Sequence, residues 1–170
     1  MAGANSGLAA NSQVAPDEYQ NLGLGPEFFR GTETVLLVED ENFVREVTNE
    51  VLKSAGYRVF TARNATEALA HGESLRQVDL LLTDIVLPGK DGRVLAGVLR
   101  SLQPNLPVLF VSGYPLRLAE IAAAEPAEAW LPKPYSVAAL LQKVRQVLGK
   151  NAEPRAADPA TLVFGTGSPS

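Results

Sequence analysis

Four places in this chain carry side chains able to do chemistry together: the acidic pair Glu39-Asp40, the acid Asp84, the hydroxyl of Ser112 and the ammonium of Lys133. Each stands at the end of an apolar run, namely Val35-Leu36-Leu37-Val38, Leu80-Leu81-Leu82, Val108-Leu109-Phe110-Val111 and Ala129-Trp130-Leu131. Carboxylates crowded at one edge repel and raise one another's pKa unless a cation stands among them. Hard oxygen donors with room for water suit Mg2+, so a magnesium site is implied. If Asp84 attacks a phosphoryl group in line, the metal and Lys133 would neutralise charge on the transferring oxygens, and the Ser112 hydroxyl would hydrogen-bond the product. Taken singly these residues say little. An Asp at a strand end is most often a turn former, Glu39-Asp40 could cap a helix starting near Asn42, and a lone lysine is usually solvated. Their joint occurrence, in this order, carries the reading.

Elements must deliver those groups to one edge. Each apolar run has strand length, and amphipathic stretches follow: Phe43, Val47, Val51 and Leu52 before Ala55-Gly56, then Val94, Leu95, Val98, Leu99 and Leu102 before Pro104. Tyr57 to Ala62 alternates and reads as a strand, and Asn64 caps a helix with Ala65, Ala68 and Leu69. Leu116 to Ala124 is Ala-rich and helical, interrupted at Pro126. Ser136 caps a last helix with Val137, Leu140, Leu141, Val144 and Leu148 turned inward. The order is strand then helix, five times. Continuous rather than alternating apolar strands indicate a parallel sheet covered on both faces, a doubly wound α/β sandwich whose chemistry lies beyond the carboxyl ends of the strands.

The bulk properties exclude several other classes. The 170 residues suffice for one domain with flanks, and 46% hydrophobic against 20% charged residues is ordinary for a globular core. A net charge of -4 supplies no basic field for nucleic acid or anionic lipid. With no cysteine, disulfides, thiolate zinc sites and thiol catalysis are excluded. No run approaches the ~20 apolar residues of a membrane span, and a cytoplasmic location is expected, with no membrane contact. Residues 1–31 read as a flexible leader, in which Gly25-Pro26-Glu27-Phe28 reads equally as a vector remnant or a natural linker. The domain is expected over 32–149, with a flexible tail over 150–170. His71, the single histidine, is expected at the surface.

At these residues the sequence resembles the response-regulator receiver family of two-component signalling. The matching segments are Val35-Leu36-Leu37-Val38-Glu39-Asp40-Glu41, Asp84-Ile85-Val86-Leu87-Pro88-Gly89-Lys90-Asp91-Gly92, Ser112-Gly113-Tyr114 and Lys133-Pro134-Tyr135, and the likeness runs from Thr34 to Leu148. It implies a flavodoxin-like (βα)5 sandwich with strand order 2-1-3-4-5. It also implies that Asp84 is the phosphoacceptor, that Asp40 and Asp84 bind Mg2+ directly, that Glu39 acts through metal-bound water, and that the carbonyl of Val86 completes the protein ligands. Lys133 would contact the phosphoryl oxygens, with its bond to Pro134 cis. Ser112 and Trp130 would form a switch. Phosphorylation adds about 1.5 to 2 negative charges, Ser112 moves toward them, Trp130 turns inward, and the face of the fourth helix, fifth strand and fifth helix changes. Trp130 departs from the family's usual Tyr or Phe, and plain core packing is its other reading.

The resemblance implies a histidine kinase or a histidine phosphotransfer protein as phosphodonor, and allows a phosphorylation-dependent homodimer. Such a domain is not a turnover enzyme in itself. The approach Gly31-Thr32-Glu33-Thr34 looks like that of the carboxy-terminal receiver of a hybrid histidine kinase, a stand-alone regulator being the rival. A phosphorylation-independent pseudo-receiver is an alternative, although every reactive residue is present. A haloacid dehalogenase-type phosphatase would need an acid two positions after Asp84, where Val86 stands. A flavodoxin-like cofactor binder would need a phosphate-cradling loop where Glu39-Asp40-Glu41 would repel phosphate.

Overall fold

Within residues 29–124 and 128–150, which the computed structural model describes, the apolar runs are strands and the amphipathic stretches are helices. In chain order they are β1 (Thr34–Val38), α1 (Asn42–Ser54), β2 (Arg58–Ala62), α2 (Ala65–Ser74) and β3 (Leu80–Asp84), then β4 (Val86–Leu87), β5 (Lys90–Asp91) and α3 (Gly92–Leu102), and finally β6 (Val108–Ser112), α4 (Pro115–Ala124), β7 (Ala129–Pro132) and α5 (Val137–Lys150). The long strands form one sheet in the order β2-β1-β3-β6-β7, every pair parallel. Counted among themselves, that is the expected 2-1-3-4-5. The short β4–β5 ribbon is antiparallel and lies apart from this sheet. The sequence reading had only a Pro88-Gly89 turn there, because strands of two residues are too short to show a period.

Successive strand residues point to opposite faces, and here both faces are covered. Leu36, Val38, Leu81, Val108 and Phe110 pack with Ala65 and Ala68 of α2 and with Leu95 and Leu99 of α3. Val35, Leu37, Leu80, Leu82, Leu109 and Val111 pack with Leu52 of α1 and with Leu140, Leu141 and Val144 of α5. Two cores back to back explain strands that read as unbroken apolar runs. The expected caps are present. The Asn64 side chain accepts the Glu67 N–H at 2.9 Å, and Ser136 Oγ accepts the Ala139 N–H at 3.1 Å.

Of the segment expected as leader, residues 29–31 are packed on the domain. Phe29 is 1% exposed within the α1–α5 core, its carbonyl accepts the Tyr57 hydroxyl at 3.2 Å, and the Gly31 N–H donates to the Ala55 carbonyl at 3.1 Å. Gly56, just past α1, has φ +98°, and a Cβ there would lie 2.6 Å from the Gly31 carbonyl oxygen, so the docked segment requires glycine at the helix end. The Gly25–Phe28 motif, the break at Pro126 and the tail beyond Lys150 lie outside the described residues. His71 is half-buried rather than solvated, with Nε2 3.2 Å from the Thr61 carbonyl oxygen and its ring beside Phe60. No helix among the described residues is long and apolar enough to cross a membrane.

Candidate functional site

Sheet register assembles the site. β1 and β3 are neighbours with Val38 opposite Thr83, so Glu39 and Asp84 leave the sheet side by side. Asp84 stands opposite Val111, one residue before Ser112, and Ser112 stands opposite Pro132, one residue before Lys133. Groups from β1, β3, β6 and β7 therefore meet at the carboxyl edge, as expected for open α/β sheets.

The carboxylates of Glu39, Asp40 and Asp84 offer oxygen atoms that all lie within 4.8 Å of one another; Glu39 and Asp84 are buried and Asp40 is exposed. Lys133 Nζ lies between two of them, 2.6 Å from Glu39 Oε2 and 2.7 Å from Asp84 Oδ2. The remaining oxygens take backbone donors, Glu39 Oε1 from the Glu41 N–H at 3.1 Å and Asp84 Oδ1 from the Val86 N–H at 3.0 Å. Burial pushes the Glu39 carboxyl above its ordinary range; Lys133 opposes this without cancelling it, and the Asp84 charge adds to it. Burial by itself would lower the Lys133 pKa. The hydrogen bonds and charges of Asp84 and Glu39 outweigh it and hold the ammonium well above its usual range, so Lys133 is a fixed cation.

The donor chemistry fits a hard divalent ion. Three carboxyl groups gather against one ammonium, and all the ligand atoms are oxygens. Asp40 would give such an ion an exposed oxygen, beside which water ligands have room.

The other expected residues lie around this cluster. Ser112 is fully buried, its Oγ accepting the Tyr114 N–H at 3.0 Å. Gly113 is exposed, and the nearest atom to a Cβ built there is Lys133 Cβ at 4.0 Å, which leaves that side of the site open. Val86 and Tyr114 are exposed. Trp130 stands on the outer strand β7 opposite Phe110 and is 37% exposed, so its ring is partly in water. The Lys133–Pro134 bond is cis.

Three contributors carry no assigned role in the sequence, although Gly92 and Tyr135 stand in the matching segments. A Cβ on Gly92 would lie 2.1 Å from the Asp84 carbonyl oxygen, so only glycine lets the start of α3 close on the strand that carries Asp84. Arg45 donates to the carbonyls of Glu39 at 2.9 Å and Asp40 at 3.4 Å, bracing the acidic turn from behind. Tyr135 brings its hydroxyl within 3.3 Å of Thr48 Oγ1 on α1. Asp91-Gly92 at a helix start was a visible signal. Arg45 and Tyr135 act through tertiary neighbours that no local pattern announces.

Comparison with known proteins places these features. The model of the response regulator receiver domain matches residues 35–145. Sensor kinase CckA of Brucella abortus is 43% identical over 126 residues, covering 71% of this chain and 13% of that protein. The chain therefore spans only a small part of that relative. The crystal structure of the receiver domain from hybrid histidine kinase CckA is 35% identical with a TM-score of 0.58, covering 68% of this chain and 98% of that one. Response regulator protein TrrA of Thermotoga maritima, solved in complex with Mg2+-BeF, is 28% identical with a TM-score of 0.61, covering 68% and 99%.

Proposed function

This chain belongs to the response regulator receiver domain family, and from that premise we propose that it accepts a phosphoryl group onto Asp84 from a phosphohistidine donor. The observation that carries this reading is the gathering of Glu39, Asp40 and Asp84 within 4.8 Å, with the Lys133 ammonium against two of them. An Asp84 carboxylate oxygen attacks phosphorus while the P–N bond to the donor imidazole breaks. The bonding pair returns to the ring nitrogen, and the protonated ring leaves as neutral imidazole. Lys133 neutralises charge on the transferring oxygens, and Gly113 leaves them an open side. Asp40 and Asp84 directly, Glu39 through water and the Val86 carbonyl would hold Mg2+, which when bound supplies further charge neutralisation to the phosphoryl group. A mixed-anhydride product on Asp84 leaves Ser112, at the neighbouring strand end, as the hydroxyl placed to read it.

From there the signal would pass to the face made by α4, β7 and α5, with Trp130 turning from its half-exposed position toward the sheet. The functional unit runs to residue 149 and begins at Phe29, ahead of the residue 32 suggested by composition. Its donor is a histidine kinase or histidine phosphotransfer protein, and the kinase CckA relatives favour a receiver carried by a hybrid kinase, facing the cytoplasm. A homodimer formed on phosphorylation would use the same α4–β7–α5 face, and a net charge of -4 gives no reason for nucleic-acid contact. The test is intact-mass analysis with Mg2+ and a small acyl phosphate. The parent chain takes one phosphate and Asp84→Asn takes none; an adduct that survives in the Asn variant sinks the assignment.

A further inference from the structure

Resting on the assignment of Asp84 as acceptor, we infer that Tyr135 and Thr48 form a positioning pair that holds Lys133 in register for the transfer. Lys133 sits in a turn with an anchor on each side. Toward the sheet, its N–H donates to the Ser112 carbonyl at 2.9 Å. On the other side comes the cis bond to Pro134 and then Tyr135, whose hydroxyl lies 3.3 Å from Thr48 Oγ1. Thr48 is 3% exposed near the middle of α1, and Tyr135 packs against the α1–α5 core. Burial raises the Tyr135 pKa, with Thr48 opposing, so the phenol stays protonated at neutral pH and either hydroxyl can donate to the other.

These contacts close a ring through the site. Glu39 leads into α1, α1 carries Thr48, Thr48 meets Tyr135, Tyr135 is two residues from Lys133, and Lys133 Nζ returns to Glu39 at 2.6 Å. Lysine has a long flexible stem and a point charge, so its side chain alone does not set where the ammonium stands. The helix acts as a rigid spacer, and the Thr48–Tyr135 contact fixes the lysine turn to it. Phenylalanine at this position would keep the ring packing and remove only that link. At 3.3 Å the hydrogen bond is at the long end of the range, so the pair tunes the rate severalfold and does not decide whether transfer occurs.

The experiment measures self-phosphorylation of the full chain by intact mass, with saturating Mg2+ and phosphoramidate, for the parent, Tyr135→Phe, Thr48→Val, the double variant and Thr48→Ser. Tyr135→Phe and Thr48→Val each slow the reaction about threefold, the double variant is no slower than either, and Thr48→Ser, which keeps a hydroxyl, runs at close to the parent rate. Thermal unfolding of each variant checks that all are folded at the assay temperature. Tyr135→Phe at the parent rate, losses that multiply in the double variant, or no rescue by Thr48→Ser overturns the positioning pair alone. A parent chain that takes no phosphate, or takes it equally as Asp84→Asn, overturns this inference and the acceptor assignment together.

Discussion

Lys133 is the residue on which the site's electrostatics turn, because its ammonium is the only cation within hydrogen-bond reach of both buried carboxylates among the described residues. In Lys133→Met, Glu39 and Asp84 would face each other without it, at a cost of ~2 kcal/mol or more near neutral pH. The pH dependence has a definite sign. The Glu39 pKa is raised in the folded chain, so its contribution is fully present below the unfolded value and is lost as pH rises through the folded one. Removing the counter-charge raises that folded value further. Urea unfolding should therefore show a wider gap between variant and parent at about pH 7 than at about pH 4; equal gaps would refute the account. Gly92→Ala forces a methyl against the Asp84 carbonyl oxygen at 2.1 Å, and a loss of about 2 to 3 kcal/mol in the same measurement is expected. Asp84, Lys133 and the acidic pair were legible in the sequence because each ends an apolar strand. Arg45 was not, and Gly92 was legible only as a glycine at a helix start, since their work depends on which backbone lies opposite.

At the scale of elements, the strands and helices announced themselves through long apolar runs and caps, while the amino-terminal boundary did not. Phe29 stands beside Phe28 after Gly25-Pro26-Glu27, and two adjacent apolar residues there carry no period. Yet it is 1% exposed between α1 and α5, so Phe29→Ala should cost about 3 kcal/mol in chemical denaturation; a change under ~0.5 kcal/mol would show that this segment is not docked in solution. The adjoining contact is ionic. Arg145 of α5 donates to Glu33 Oε1 and Oε2 at 2.9 and 3.0 Å and to the Tyr57 hydroxyl at 3.1 Å. Burial pushes the Glu33 carboxyl up, but backbone hydrogen bonds and the Arg145 guanidinium outweigh it and hold it below the ordinary range. A depressed folded value adds stability above the unfolded value and loses it as pH falls through the folded one. Glu33→Gln should therefore cost up to about 1 kcal/mol at neutral pH, the pair being partly solvated, and the difference from the parent should vanish in acid.

For the whole molecule, the parallel sheet sends four reactive strand ends to one edge and leaves the docked segment 29–31 at the other, so the site and this segment are separated by the length of the strands. Fold class was open to sequence reasoning because both sheet faces are buried, while the strand order came from the family resemblance. The conformational response was not, because it concerns a second state. Trp130, the single tryptophan, lies on the outer strand with 37% of its surface exposed. If phosphorylation draws it inward, its fluorescence should shift to shorter wavelength when the parent chain is phosphorylated and stay constant in Asp84→Asn; an unchanged emission from the phosphorylated parent would remove Trp130 from the switch. The Lys133 clasp also bears on how the molecule handles metal. An ammonium tethered beside Glu39 and Asp84 is a competitor that cannot diffuse away, present at a high effective concentration whatever the ionic composition outside. A divalent ion held by the same carboxylates would have to displace part of that hold, so affinity for metal and the ammonium's grip on Glu39 and Asp84 oppose one another.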